Sequence, residues 1–190
     1  MWKIAWQIAR QGIATEAAPA DSGDLRVLQE SVHGEILDIL GQALTIRQVD
    51  AGSCNGCELE IHALNNPYYN IEGLGIKFVA SPRHADMLLV TGPVARNMEL
   101  ALRRTYEATP APKLVVAVGD CGCSGGIFGE SYASCGRVSN VIPVDLAIPG
   151  CPPAPLEILR GILTAVRRIR AAAEPIVPAV AEAARGDRSA

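Results

Sequence analysis

Apolar residues recur along this chain in two periods. Trp2, Trp6, Ala9 and Ile13 fall on one face of a helix, with Lys3, Gln7 and Arg10 elsewhere around it. That face reads as an anchor on a partner or at a membrane surface, where tryptophan is favoured, or as a helix packed on its own domain. A stretch rich in Ala, Pro, Ser and Asp follows from Ala14 to Gly23 and is expected to be an extended linker. Then Leu25, Leu28, Val32, Ile36, Leu37 and Leu40 repeat at helical steps until Gly41. From Ala43 the pattern changes to short, nearly continuous apolar runs: 43–49, Ile76–Ala80, Met87–Thr91, Leu114–Val118 and Val141–Val144. Helical patterns from about Glu58, over Ala95–Glu107 and over Pro155–Arg170 lie between and after them, and a short helix fits around Arg83.

Strands buried on both faces and alternating with helices predict an α/β fold, a parallel sheet covered by helices on either side. Ligands of such sheets bind at the carboxyl ends of the strands. The expected organisation is an N-terminal helix and linker (1–23), one α/β domain (24–170) and a disordered tail (171–190) of Ala, Pro and charge. With 190 residues the chain is long enough for one well-buried domain.

Charge removes several function classes. The net charge of −3 and the lack of a basic run leave no footprint for nucleic acid. No stretch is long and apolar enough to span a bilayer, and the start of the chain lacks the order of a secretory signal and a twin-arginine pair. A cytoplasmic chain is expected, in which the six cysteines read as ligands before disulfides.

Four of those cysteines follow apolar runs in glycine- or proline-bearing loops: Cys54 and Cys57 after the first, Cys121 in Gly119-Asp-Cys-Gly-Cys-Ser-Gly-Gly126, Cys151 in Pro149-Gly-Cys-Pro-Pro153. Cys-x-x-Cys alone fits zinc sites, redox dithiols and clusters alike. Three separate strand ends converging favour an iron–sulfur cluster over a structural zinc site, which draws on compact knuckles. Gly52, Gly56, Gly122, Gly125 and Gly126 permit the close backbone approach that an anionic cluster needs, and helices starting after Cys57 and Cys151 can point their positive ends at it. No Walker A sequence, dinucleotide fingerprint or hydrolytic triad is present.

Five motifs, in order, carry a family resemblance: Ser53-Cys-Asn-Gly-Cys-Glu-Leu-Glu60; Ser81-Pro-Arg-His-Ala-Asp86; Val90-Thr-Gly-Pro93; Gly119-Asp-Cys121 with Gly125-Gly-Ile-Phe128; and Pro143-Val-Asp145 with Pro149-Gly-Cys-Pro-Pro153. Over about residues 43–168 the chain resembles the B-subunit family of NADH:quinone oxidoreductase (complex I), in particular the small subunits of group 4 membrane-bound [NiFe]-hydrogenases and hydrogenase-4-type complexes. The resemblance implies a flavodoxin-like fold holding one [4Fe–4S] cluster on Cys54, Cys57, Cys121 and Cys151, an electron carrier with no catalytic residue of its own. Two residues between the first cysteines match the hydrogenase type, whereas complex I B subunits have the pair adjacent.

The implied partners are a hydrogenase large subunit or complex I D-subunit-like protein, a ferredoxin-like subunit with two [4Fe–4S] clusters, and integral membrane subunits. The implied location is the cytoplasmic side of the inner (plasma) membrane. Alternatives stay open: a quinone-reducing or hydrogenase-related complex without NiFe, a structural zinc scaffold with four cysteine ligands, and a free dithiol oxidoreductase using Cys54 and Cys57. Since no cysteine follows Cys151, one cluster is expected. Glu58, Arg83, Gly122 and Cys123 are candidates for the surroundings of the cluster, with Glu58 equally explained by a helix dipole. Cys123 and Cys135 read as surplus small residues, His84 as a surface or core residue, and Asp120 and Asp145 as caps of their own loops.

Overall fold

The computed structural model describes residues 2–11 and 23–173. The expected linker and tail therefore lie mostly outside the described residues, although the last helix runs three residues into the expected tail. Two helices lead, α1 (Trp2–Gln11) and α2 (Asp24–Leu40), followed by β1 (Leu44–Asp50), α3 (Gly56–Ala63), β2 (Ile76–Phe78), β3 (Met87–Thr91), α4 (Arg96–Ala108), β4 (Leu114–Val118), α5 (Gly119–Ser124), β5 (Leu146–Ile148) and α6 (Pro155–Ala173). The five strands form one parallel sheet in the order β2-β1-β3-β4-β5. That is the flavodoxin-like order, with its switch point between β1 and β3.

Successive side chains of a strand point to opposite faces, and the core divides accordingly. On one face Leu44 and Ile46 of β1, Met87 and Leu89 of β3, and Val116 of β4 pack with α2, α3 and α6 through Val32, Ile36, Ile61, Ile158 and Ile162. On the other, Val49, Leu88, Val90, Val115 and Ala117 pack with Leu102 of α4 and with Val138, Val141 and Ile142. Such double burial leaves β4 apolar throughout and β3 apolar up to Thr91, whose buried hydroxyl donates to the Val49 carbonyl.

Carboxylates help set the strand register. Asp86 accepts from the backbone N–H of Thr45 (2.9 Å) and from its hydroxyl (2.6 Å), and Asp145 accepts from the N–H of Val115 (2.7 Å). Two sequence expectations differ from the fold. Val141–Val144 is not a strand: Val138–Asn140 form a 3-10 turn whose end places Val141 in the helical region, and β5 starts only at Leu146. Pro143, which has no N–H for a ladder, keeps the apolar pair Val141 and Ile142 in that turn. The expected glycine loop after β4 begins instead with the short helix α5, opened by Gly119 (φ +82°) and closed by Gly125 (φ +91°).

Candidate metal centre

The loops that leave β1, β3, β4 and β5 meet at the carboxyl edge of the sheet. After β1, the Asp50 carboxylate accepts from the N–H groups of Gly52 and Ser53, both at 2.8 Å, curling the chain before Cys54. The loop after β3 presses on this turn: a Cβ at Gly92 (φ +77°) would lie 2.5 Å from the Ser53 nitrogen, so no side chain fits there. Asn55 in the left-handed region then admits the chain to α3, whose first turn carries Cys57 and Glu58.

Asp120 joins the next two loops. Its N–H donates to the Gly150 carbonyl and its carboxylate accepts from the Gly150 N–H, both at 2.8 Å. The Cys121 and Cys151 loops are thus held together by a reciprocal pair across thirty residues. Asp145 likewise bonds a backbone group thirty residues away, so both aspartates join distant strands and loops instead of capping their own.

The sulfurs are closely framed. A Cβ at Gly119 would stand 2.5 Å from Cys57 Sγ, and one at Gly126 would stand 2.9 Å from Cys121 Sγ. At Gly56 it would lie 3.6 Å from Cys54 Sγ and 3.9 Å from Pro152 of the Cys151 loop. Burial pushes the Cys57 thiol up to about 12, reinforced by the charges of Glu58, Cys54, Cys121 and Cys151. Burial also raises Cys121, with Cys151 and Cys54 adding to it. Cys54 and Cys151 therefore lie close enough to Cys57 and Cys121 to oppose the ionisation of those two. Cys54 and Cys151 are exposed; Cys57 and Cys121 are half-buried.

Among the described residues, no group of three or more His, Cys, Asp or Glu is gathered in a way that would hold a single metal ion. The donor set does fit a cluster of iron and sulfide: soft thiolates, glycines bare of Cβ against two of the sulfurs, and the first turn of α3 alongside. Glu58 is 5% exposed with both carboxylate oxygens lacking a hydrogen-bond partner, an uncompensated buried polar group beside Cys57.

Of the other candidates, Gly122 is buried under the carbonyls of Val90 and Gly92 and the Ala117 side chain. The Cys123 thiol, pushed up to about 11 chiefly by burial, donates to the carbonyls of Ile148 (3.4 Å) and Ala117 (3.6 Å). Arg83 and His84 are exposed on the 3-10 turn Pro82–His84, where the His84 carbonyl lies 2.6 Å from the Thr45 hydroxyl oxygen. Thr45 is the second residue of β1, at its amino end, whereas the first of the cysteine loops leaves from the other end. Cys135 is buried apart from these, its thiol donating to the Glu99 carboxylate at 3.3 Å. The Asp120–Gly150 pair is the element of the site that reading the sequence missed; a partner thirty residues distant leaves no local signal.

Residues 54–165 match the family described as NADH ubiquinone oxidoreductase, 20 Kd subunit. The chain is 43% identical over 135 residues to the probable membrane-bound hydrogenase subunit mbhJ of Pyrococcus furiosus, covering 71% of this chain and 81% of that protein. It is 43% identical over 136 residues to formate hydrogenlyase subunit 7 of Escherichia coli, covering 72% of this chain but about half, 53%, of the relative. Among solved structures it resembles a chain of the membrane-bound sulfane sulfur reductase, an archaeal respiratory membrane complex, with a TM-score of 0.60 and 34% identity over 68% of this chain and 72% of that one.

Proposed function

Because this chain belongs to the NADH ubiquinone oxidoreductase 20 Kd subunit family, whose members are subunits of oxidoreductase complexes, we propose that it is the electron-transfer subunit of a membrane-associated, hydrogenase-type complex. Cys54, Cys57, Cys121 and Cys151 would hold one [4Fe–4S] cluster. Such a cluster, when bound, takes up and releases one electron at a time. The observation that carries the reading is the frame of glycines and backbone around the sulfurs, above all Gly119 against Cys57 and Gly126 against Cys121.

The chain's own residues act by placement. Asp50 and Asp120 fix the loops, and the glycines bring backbone to the sulfurs where a Cβ would intrude. Glu58 puts a carboxylate beside Cys57, and Gly122 and Cys123 pack the α5 turn against the sheet. The chain stands between a ferredoxin-like donor subunit and a large subunit with a NiFe centre, on the cytoplasmic side of the membrane. Ile127 (94% exposed) and Tyr132 (98% exposed), on the segment that follows Cys121, offer the large subunit an apolar surface.

The test is iron, zinc and acid-labile sulfide analysis with EPR on anaerobically purified, dithionite-reduced protein. About four iron and four sulfide per chain, with a reduced-cluster signal lost in Cys54→Ser, Cys57→Ser, Cys121→Ser and Cys151→Ser, is the expected result. Zinc without sulfide would replace the carrier with a scaffold. Thiol–disulfide activity without metal, needing only Cys54 and Cys57, would replace it with a dithiol enzyme. Nickel in the co-purified large subunit separates hydrogen chemistry from a quinone-reducing complex.

A further inference from the structure

Helix α1 exposes its largest apolar side chains. Trp2 is 87% exposed and Trp6 57% exposed. At the helical step of about 100° per residue, Trp2, Trp6 and Ala9 lie within a narrow arc. Lys3 and Arg10, seven residues apart, share a line to one side of that arc, and the Arg10 guanidinium sits 5.1 Å from the centre of the Trp6 ring. The ten residues Trp2–Gln11 contain two cations and no acidic residue, in a chain whose net charge is −3.

We propose that α1 lies in the surface of an anionic phospholipid bilayer, with Trp2 and Trp6 at the level of the headgroups and Lys3 and Arg10 on lipid phosphates. Charge selects this occupant. The chain as a whole is repelled by an anionic surface, so attraction has to be local, and α1 carries the sign required. The tryptophans select it too: an apolar body with one N–H donor is suited to the boundary between acyl chains and water. A ten-residue helix is about 15 Å long, half of what crossing a bilayer needs, and among the described residues no helix is long and apolar enough to span one. The helix lies on the membrane and does not cross it. This inference stands on α1 alone and needs no cluster.

Both tryptophans of the chain are in α1, so tryptophan emission reports this helix without labelling. The full chain is titrated with phosphatidylcholine–phosphatidylglycerol vesicles and with pure phosphatidylcholine vesicles. A blue shift with co-sedimentation is expected on the mixed vesicles. Each cation contributes about fivefold to partitioning, so Lys3→Gln with Arg10→Gln weakens it about twenty-fivefold, and raised salt also weakens it. No shift on mixed vesicles would overturn the proposal and assign the exposed face to a protein. Equal binding to both vesicle types, unmoved by Lys3→Gln and Arg10→Gln, would overturn the anionic-lipid assignment. Iron content does not enter the readout, so failure here leaves the electron-carrier reading intact, and failure of that reading leaves this one intact.

Discussion

One methyl group decides much at Gly119. Gly119→Ala places a Cβ 2.5 Å from Cys57 Sγ at φ +82°, so it is expected to abolish iron and sulfide binding while the chain remains folded by far-UV circular dichroism. Gly129→Ala is the control for backbone strain, since φ is +54° there but nothing lies within 4 Å; its iron content should equal that of the native chain. Glu58 poses the opposite question. A buried carboxylate without partners destabilises a fold, so Glu58→Met should raise the stability of the metal-free chain by about 1–3 kcal/mol in denaturant titrations. The same change takes a carboxylate away from beside Cys57 and should raise the reduction potential of the proposed cluster in a redox-poised EPR titration. Cys135 gives a pH dependence: burial first, then the Glu99 carboxylate that accepts its S–H, lift its thiol above the ordinary 9.0. The folded chain therefore holds this proton more tightly than the unfolded one. Its contribution to stability is complete below pH 9.0 and is lost as pH climbs through the raised value. Cys135→Ser should lessen the alkaline decline, to which the raised Cys57, Cys121 and Cys123 thiols also contribute, measured by melting at increasing pH, and leave iron content unchanged.

Among the elements, β3 and β4 are buried throughout, and Leu89→Ala should cost about 2–5 kcal/mol in chemical denaturation. These strands were legible in the sequence with their observed bounds because burial on both faces writes an uninterrupted apolar run. The cysteines of the candidate centre stood out for a different reason, since each lies in a glycine- or proline-bearing segment beyond a strand. β5 was misplaced because Val141 and Ile142 are as apolar as a strand while serving as the packed end of a turn; composition does not separate the two uses, and only Pro143 hinted at the break. The α5 helix was hidden by its glycines, which favour a loop in isolation but here serve to start and stop one helical segment. The long-range roles of Asp120 and Asp145 were not legible at all, because a carboxylate looks the same whether its partner is two residues away or thirty.

For the whole molecule, the parallel sheet places the ends of β1, β3, β4 and β5 on one edge, so cysteines nearly a hundred positions apart come together at the candidate centre. Both faces are filled by aliphatic side chains, and none of the fully buried core residues described is aromatic. The indoles stand instead on the ten-residue helix α1, where both are exposed. Heating or denaturant should therefore give two curves that do not coincide. Tryptophan emission will follow the fraying of α1 at low perturbation, and backbone ellipticity will follow the sheet at higher perturbation. Non-coincident probes are ordinarily taken as the mark of a populated intermediate. In this chain the mismatch is a consequence of where the chromophores are placed, and the α/β domain would still unfold in a single step.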